Sequence, residues 1–216
     1  MNLSYKAVIF DMDGTLVDTE SALLDIWEST AREMGYVFSR AVLLKTVGTT
    51  YKDTIQTMRD AYPDAPHDDI RLETSARFKQ IREDGGIGLR PGALEALDAV
   101  SGLGLPIALC TSTRGSSASV TLESVGILKY FDAVVYGDEV TRGKPDPEPY
   151  NTAAKKLGVD PADCFVIEDS PSGARSALSA GMTVAVVPDV IPIPDDVQKR
   201  VIMLESVAQA APLLVR

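Results

Sequence analysis

An α/β fold with a parallel sheet is the class this sequence predicts. Short apolar runs recur along its 216 residues: Ala7 to Phe10, Pro106 to Cys110, Ala133 to Tyr136, Phe165 to Ile167 and Thr183 to Val187. Most are rich in Val and Ile, as strands buried on both faces are. Helical patterns lie between them, among them Ala93 to Val100 and Ser116 to Val125. Strand alternating with helix implies crossover connections and parallel pairing. Each run also ends in polar residues: Asp11, Thr111, Gly137 with Asp138, Glu168 with Asp169, and Pro188 with Asp189. Ligands of such sheets bind at the carboxyl ends of the strands.

One region breaks the alternation. From Ser21 to Glu83 the pattern is helical throughout. Leu23, Leu24, Trp27, Ala31 and Met34 fall at helical spacing, and Gly35 follows as a stop. Phe38 to Leu44, Tyr51 to Met58 and His67 to Ile81 read as further helical pieces, and Trp27 with its neighbours as their core. Gly85-Gly86-Ile87-Gly88 and then Arg90-Pro91-Gly92 read as the return. An all-helical insert is therefore expected between the first strand and the rest of the sheet. The expected boundaries are 1–16 and 88–216 for the core and 17–87 for the insert.

Charge and composition exclude several functions. Acidic residues number 31 and basic ones 21, a formal net charge of −10. Broad nucleic-acid or acidic-membrane affinity needs clustered Lys and Arg, so neither partner is expected. The single histidine, His67, excludes a two-His metal site, and two cysteines exclude a four-Cys zinc site. No stretch reaches the length of a membrane helix, and the start carries no signal-peptide pattern, so a cytoplasmic location is expected. Cys110 and Cys164 are expected reduced and buried.

Chemistry concentrates in four segments. Asp11-Met12-Asp13-Gly14-Thr15 follows the first strand. Carboxylates at i and i+2 of an extended end face one pocket, where one can attack and the other exchange protons. A calcium loop needs Gly at its sixth position and Glu at its twelfth. Here Gly14 is fourth and Ala22 twelfth, so that reading fails. Cys110-Thr111-Ser112-Thr113-Arg114-Gly115 ends a strand and opens a helix, where hydroxyls and N–H groups suit an anionic oxygen; Ser and Thr there are also ordinary caps. Gly143-Lys144-Pro145 mimics a phosphate loop but puts Pro145 where Ser or Thr must bind magnesium. Glu168-Asp169, at another strand end, offers hard oxygen ligands to a cation.

In this order the segments resemble the haloacid dehalogenase-like hydrolases, in their branch of phosphatases and β-phosphoglucomutases with a helical cap. The resemblance covers nearly the whole chain. It implies a doubly wound, Rossmann-like parallel-sheet core with the cap inserted after the first strand. It makes Asp11 the nucleophile that becomes an aspartyl-phosphate, and Asp13 the general acid and base. Thr111, the Ser112 backbone and Lys144 would bind phosphate. Asp11, the Asp13 carbonyl, Glu168 and Asp169 would hold Mg2+. Dehalogenases of the family generally lack the second aspartate, which disfavours that chemistry here.

The function expected on this resemblance is Mg-dependent hydrolysis of a small phosphate monoester, a phosphosugar or a phosphoglycolate-like metabolite. A phosphosugar mutase is the alternative, disfavoured because Leu23 and Tyr51 stand where the mutase's cap histidine and arginine would be. A non-catalytic binding or regulatory protein is the further alternative. Glu20, Tyr51, Lys52 and Arg114 are candidate specificity residues. His67 lies outside every motif and is expected on the cap surface. The expected partner is a small phosphorylated metabolite, and the chain is expected to be a monomer or a weak homodimer.

Overall fold

The computed structural model describes residues 4–47 and 51–215, without the side chains of residues 51–53. The strands are β1 (Ala7–Phe10), β2 (Ile107–Cys110), β3 (Ala133–Val135), β4 (Cys164–Glu168), β5 (Thr183–Val186) and β6 (Ile202–Met203). They form one sheet in the order β3-β2-β1-β4-β5-β6, and every pairing is parallel. β6 is a two-residue exposed edge that the sequence pattern did not announce.

The period-two alternation of β1 divides the core. Val8 and Phe10 point into one layer, with Ala93, Ala96, Leu97 and Val100 of α5 (Ala93–Gly102) and Ala118 and Leu122 of α6 (Gly115–Ser124). A C-terminal 3-10 segment, Val207–Leu214, completes that layer. Ala7 and Ile9 point into the other layer, with Tyr150, Ala153 and Ala154 of α7 (Glu148–Leu157) and Ala174 and Ala177 of α8 (Pro171–Ser179). Val197 of the short α9 (Asp195–Gln198) joins them. The sheet is thus covered on both faces, which is why its strands are apolar at every position but Glu168, at the end of β4, and Thr183, at the start of β5.

The insert after β1 is helical, as expected. It comprises α1 (Thr19–Glu33), α2 (Arg40–Leu43) running into a 3-10 turn, α3 (Tyr51–Ala61) and α4 (His67–Glu83). Leu24, Ala31, Phe38, Leu43, Met58 and Ile70 make its own small core, with Trp27 packed against it. Gly35, at φ +88°, ends α1 in the left-handed region that Gly enters without penalty. The two passages between insert and core run side by side. Asp18 N–H donates to the Gly88 carbonyl, Arg90 N–H donates to the Leu16 carbonyl, and Val17 bridges to Leu89.

One expectation fails. His67 is not on the cap surface: it is 5% exposed, and its ring stacks on Phe38 with Nε2 2.7 Å from the Tyr62 carbonyl. The neighbouring Asp68 and Asp69 suggested solvent. The first turn of α4 turns the acids outward and the imidazole into the cap core.

Both cysteines are free and buried. Among the described residues no helix is long and apolar enough to cross a membrane.

Candidate active site

Strand order places the site. β1 has β2 on one side and β4 on the other, so connections leave it in opposite directions and a crevice opens at its carboxyl end. Asp11 stands there, next to Thr111 after β2, Glu168 at the end of β4 and Asp169 just after it. A cavity of about 570 Å³ covers this edge, lined by Asp11, Asp13, Lys144 and Asp169 from the core and by Glu20, Leu23, Phe78 and Arg82 from the insert.

Lys144 arrives from the loop before α7 and is the hub. Its ammonium donates to Asp11 Oδ1 at 2.6 Å, to Glu168 Oε1 at 2.7 Å and to the Cys110 carbonyl at 3.0 Å. Its side chain is only 5% exposed. Burial works against its charge, and the carboxylates of Asp11 and Glu168 outweigh burial, holding its pKa well above the usual lysine value.

Glu168 is fully enclosed and fully bonded. Oε1 takes Lys144 and the Tyr150 hydroxyl, the latter at 2.8 Å. Oε2 takes the backbone N–H groups of Asp169 and Ser170 and the Ser170 hydroxyl, at 3.0–3.1 Å. Ser170 is also the N-cap of α8, accepting from Gly173 N–H. The carboxylate therefore sits on the N-terminal end of a helix, where negative charge is favoured. Burial pushes the Glu168 pKa up, but Lys144 and these donors bring it below the ordinary glutamate value. Gly173 makes room: a Cβ there would lie 1.6 Å from Glu168 Oε1.

Asp13 occupies a cradle of hydroxyls. Thr111 and Thr113 donate to Oδ2 at 3.0 and 2.7 Å, and Thr19 donates to Oδ1 at 2.9 Å. Thr111 is buried, its oxygen also accepting from Thr113 N–H. Ser112 is exposed and lines the cavity. The loops after β2 and β3 are in close contact at Gly137, where a Cβ would lie 2.0 Å from the Ser112 carbonyl oxygen.

Asp11, Glu168 and Asp169 each offer a carboxylate oxygen within 4.8 Å of the others. Burial raises the Asp11 carboxyl to about 8 despite Lys144, with Glu168 and Asp13 adding to the rise. Burial, followed by Glu168 and Asp11, raises the Asp169 pKa well above the ordinary value. The fully ionised group of these acids with Lys144 would carry an excess of negative charge in a dry site, so the donor set fits a hard divalent cation. Glu168's oxygens are already engaged. Asp11 and Asp169 are the side chains with oxygen to offer an ion, while Glu168 steadies Lys144 beside them. Gly14 lets the chain pass here, since a Cβ would lie 2.4 Å from Asp169 Oδ2.

The remaining sequence candidates divide. Glu20 lines the cavity, and burial, then Asp13 and Asp189, raises its carboxyl to about 7. Arg114 is exposed and outside the cavity lining. The Tyr51 and Lys52 side chains lie outside the described residues. Residues that motif reading missed are Thr19 and Thr113 at Asp13, Tyr150 at Glu168, and Phe78 and Arg82 in the cavity wall. For the last pair the available signal was an aromatic and an arginine spaced i, i+4 on a helix, which fixes adjacency without telling what the pair faces.

Known proteins resemble this chain in sequence and fold. The phosphorylated carbohydrates phosphatase of Thermotoga maritima is 33% identical over 183 residues, 82% of each chain. Hexitol phosphatase A of Escherichia coli is 34% identical over 183 residues, 84% of this chain and 82% of that one. A crystal structure of a HAD family hydrolase from Deinococcus radiodurans R1, with bound phosphate and sodium, superposes with a TM-score of 0.84 at 28% identity, covering 99% of both chains. Residues 8–187, from the middle of β1 to the end of the β5 run, match the model of one family, and by that match the chain belongs to the haloacid dehalogenase-like hydrolases.

Proposed function

We propose that this protein is a Mg2+-dependent phosphatase that hydrolyses a small phosphate monoester, a phosphosugar or related metabolite, through a phosphorylated Asp11. The observation that carries the reading is the Asp11–Lys144–Glu168 chain at the mouth of β1. A carboxylate attacking a phosphate dianion meets like-charge repulsion, and a lysine fixed beside it reduces that barrier. Asp11 would attack phosphorus as the ester bond breaks. Asp13 would give its proton to the departing alkoxide and then take one from the water that hydrolyses the acyl phosphate. The Ser112 N–H, and the Thr111 hydroxyl once turned from Asp13, would hold phosphoryl oxygens, with Lys144 neutralising them. Asp11, Asp169 and the Asp13 carbonyl would hold magnesium, which when bound offsets the charge of the carboxylates and the phosphoryl group.

The names of the related phosphatases support the phosphosugar class. Residues 17–87 would act as the cap that covers the reacting atoms. Leu23 lines the cavity, so the wall there is apolar where a mutase would carry its histidine.

Turnover of p-nitrophenyl phosphate tests the reading. It is expected with magnesium, is expected to stop in EDTA, and to fall at least a thousandfold in Asp11→Asn, an order of magnitude typical for loss of a nucleophile. Activity indifferent to EDTA, or retained by Asp11→Asn, would overturn it.

A further inference from the structure

Arg82 stands in the last turn of α4 with its guanidinium 4.7 Å from the centre of the Phe78 ring. Both residues line the cavity over Asp11. Its Nε is buried and has no hydrogen-bond partner, and no carboxylate pairs with Arg82 among the described residues. Arg77 on the same helix is the contrast, taking Glu33 and Glu73 at 2.7 Å each. A cation in the last turn complements the helix dipole, but a solvated side chain would do that equally well. Arg82 instead lies in a partly buried position against the Phe78 ring, without a carboxylate partner, and its buried, unmet Nε donor costs free energy.

The surroundings narrow the acceptor. Leu23, Val47, Phe78, Val190 and Ile191 give the cavity an apolar wall, so the leaving group is enclosed rather than fully hydrated. Lys144 is already engaged by Asp11 and Glu168. Arg82 is therefore the one uncommitted cation lining the cavity among the described residues. The guanidinium edge matches the flat, two-oxygen geometry of a carboxylate.

We propose that Arg82, held against Phe78, receives a carboxylate on the substrate's leaving group, so that the preferred ester is a phosphorylated small hydroxy acid, sugar acids included. The inference rests on the phosphatase reading above and assigns it a substrate class.

3-Phosphoglycerate and glycerol 3-phosphate provide the test, because they differ chiefly by carboxylate against hydroxymethyl. The kcat/KM ratio of the two is measured with magnesium for wild type, Arg82→Gln and Arg82→Lys, and calorimetry gives the ratio of their affinities for the same proteins. Wild type is expected to favour 3-phosphoglycerate about tenfold or more, mainly through KM, as for a site built around a charged partner. Arg82→Gln is expected to bring the ratio near one, and Arg82→Lys to keep part of the preference. A wild-type preference for the neutral ester, or a preference that survives Arg82→Gln, would overturn the inference. If p-nitrophenyl phosphate is hydrolysed and the ratio is flat, the inference falls alone. If no ester is hydrolysed the phosphatase reading falls, and the affinity ratio still decides the role of Arg82.

Discussion

Glu168 carries Lys144: the ammonium sits 2.7 Å from Oε1, and Glu168 is wholly shielded from solvent. Tyr150 shares that oxygen, and the other oxygen takes backbone and hydroxyl donors at the start of α8. Glu168→Gln replaces one accepting oxygen by a donating amide in a cradle built of donors. Breaking such a buried pair costs about 3–5 kcal/mol. The variant is expected to melt well below wild type in thermal denaturation and to lose at least tenfold in kcat, since Lys144 loses its anchor.

The same cradle makes Gly173 irreplaceable. Gly173→Ala puts a methyl on Glu168 and is expected to abolish activity and lower the melting temperature severely. Gly104→Ala is the control. It has φ +70° but no neighbour within 4 Å of a Cβ, so it should cost only backbone strain of about 1–2 kcal/mol and leave kcat unchanged.

Arg90 and Asp189 tie the return passage of the insert to the loop after β5. Arg90 Nη1 lies 2.5 Å from Asp189 Oδ1, and the aspartate side chain is 4% exposed. Arg90→Met leaves that carboxyl buried and unpaired, which costs about 3–5 kcal/mol. Arg90→Met with Asp189→Leu removes the orphan as well and is expected to recover much of the loss in urea titrations. Additive losses would mean that the two residues do not act as a pair.

Glu20 gives a pH signature. Its folded pKa of about 7 lies above the ordinary glutamate value because burial, then Asp13 and Asp189, disfavours its charge. Between pH 4.5 and about 7 the folded state therefore holds a proton that the unfolded state releases. Stability from this group is intact at the acid end and falls as pH rises through that window, by about 3 kcal/mol at most. Glu20→Gln removes this pH-dependent loss. In EDTA the variant is expected to match wild type at pH 4.5 and to melt higher at pH 8; equal midpoints at pH 8 would contradict the assignment.

The legible parts were those written contiguously. β1 with Asp11 and Asp13, and β4 with Glu168 and Asp169, each bring chemistry within three residues of an apolar run, so strand end and motif announce one another. β2, β3 and β5 appear within a residue or two of their apolar runs. The insert was readable from Leu24, Ala31 and their neighbours because its core is amphipathic at helical spacing. β6 was not: two exposed residues carry no pattern. Lys144 alone reads as a solvated lysine, and only a fold that brings Asp11 and Glu168 to its ammonium buries it. Arg82 was hidden for a related reason. It lies on a largely polar helix, and which face meets the cavity is decided by how α4 packs on the core through Phe78 and Ile81.

The most direct test is chemical. Wild-type enzyme turning over a good ester with magnesium is quenched in acid, digested, and its peptides weighed. A phosphoryl group on Asp11, absent when EDTA is added first, is the predicted result. A phosphoryl group on another side chain, or steady turnover with Asp11 never modified, would contradict the account.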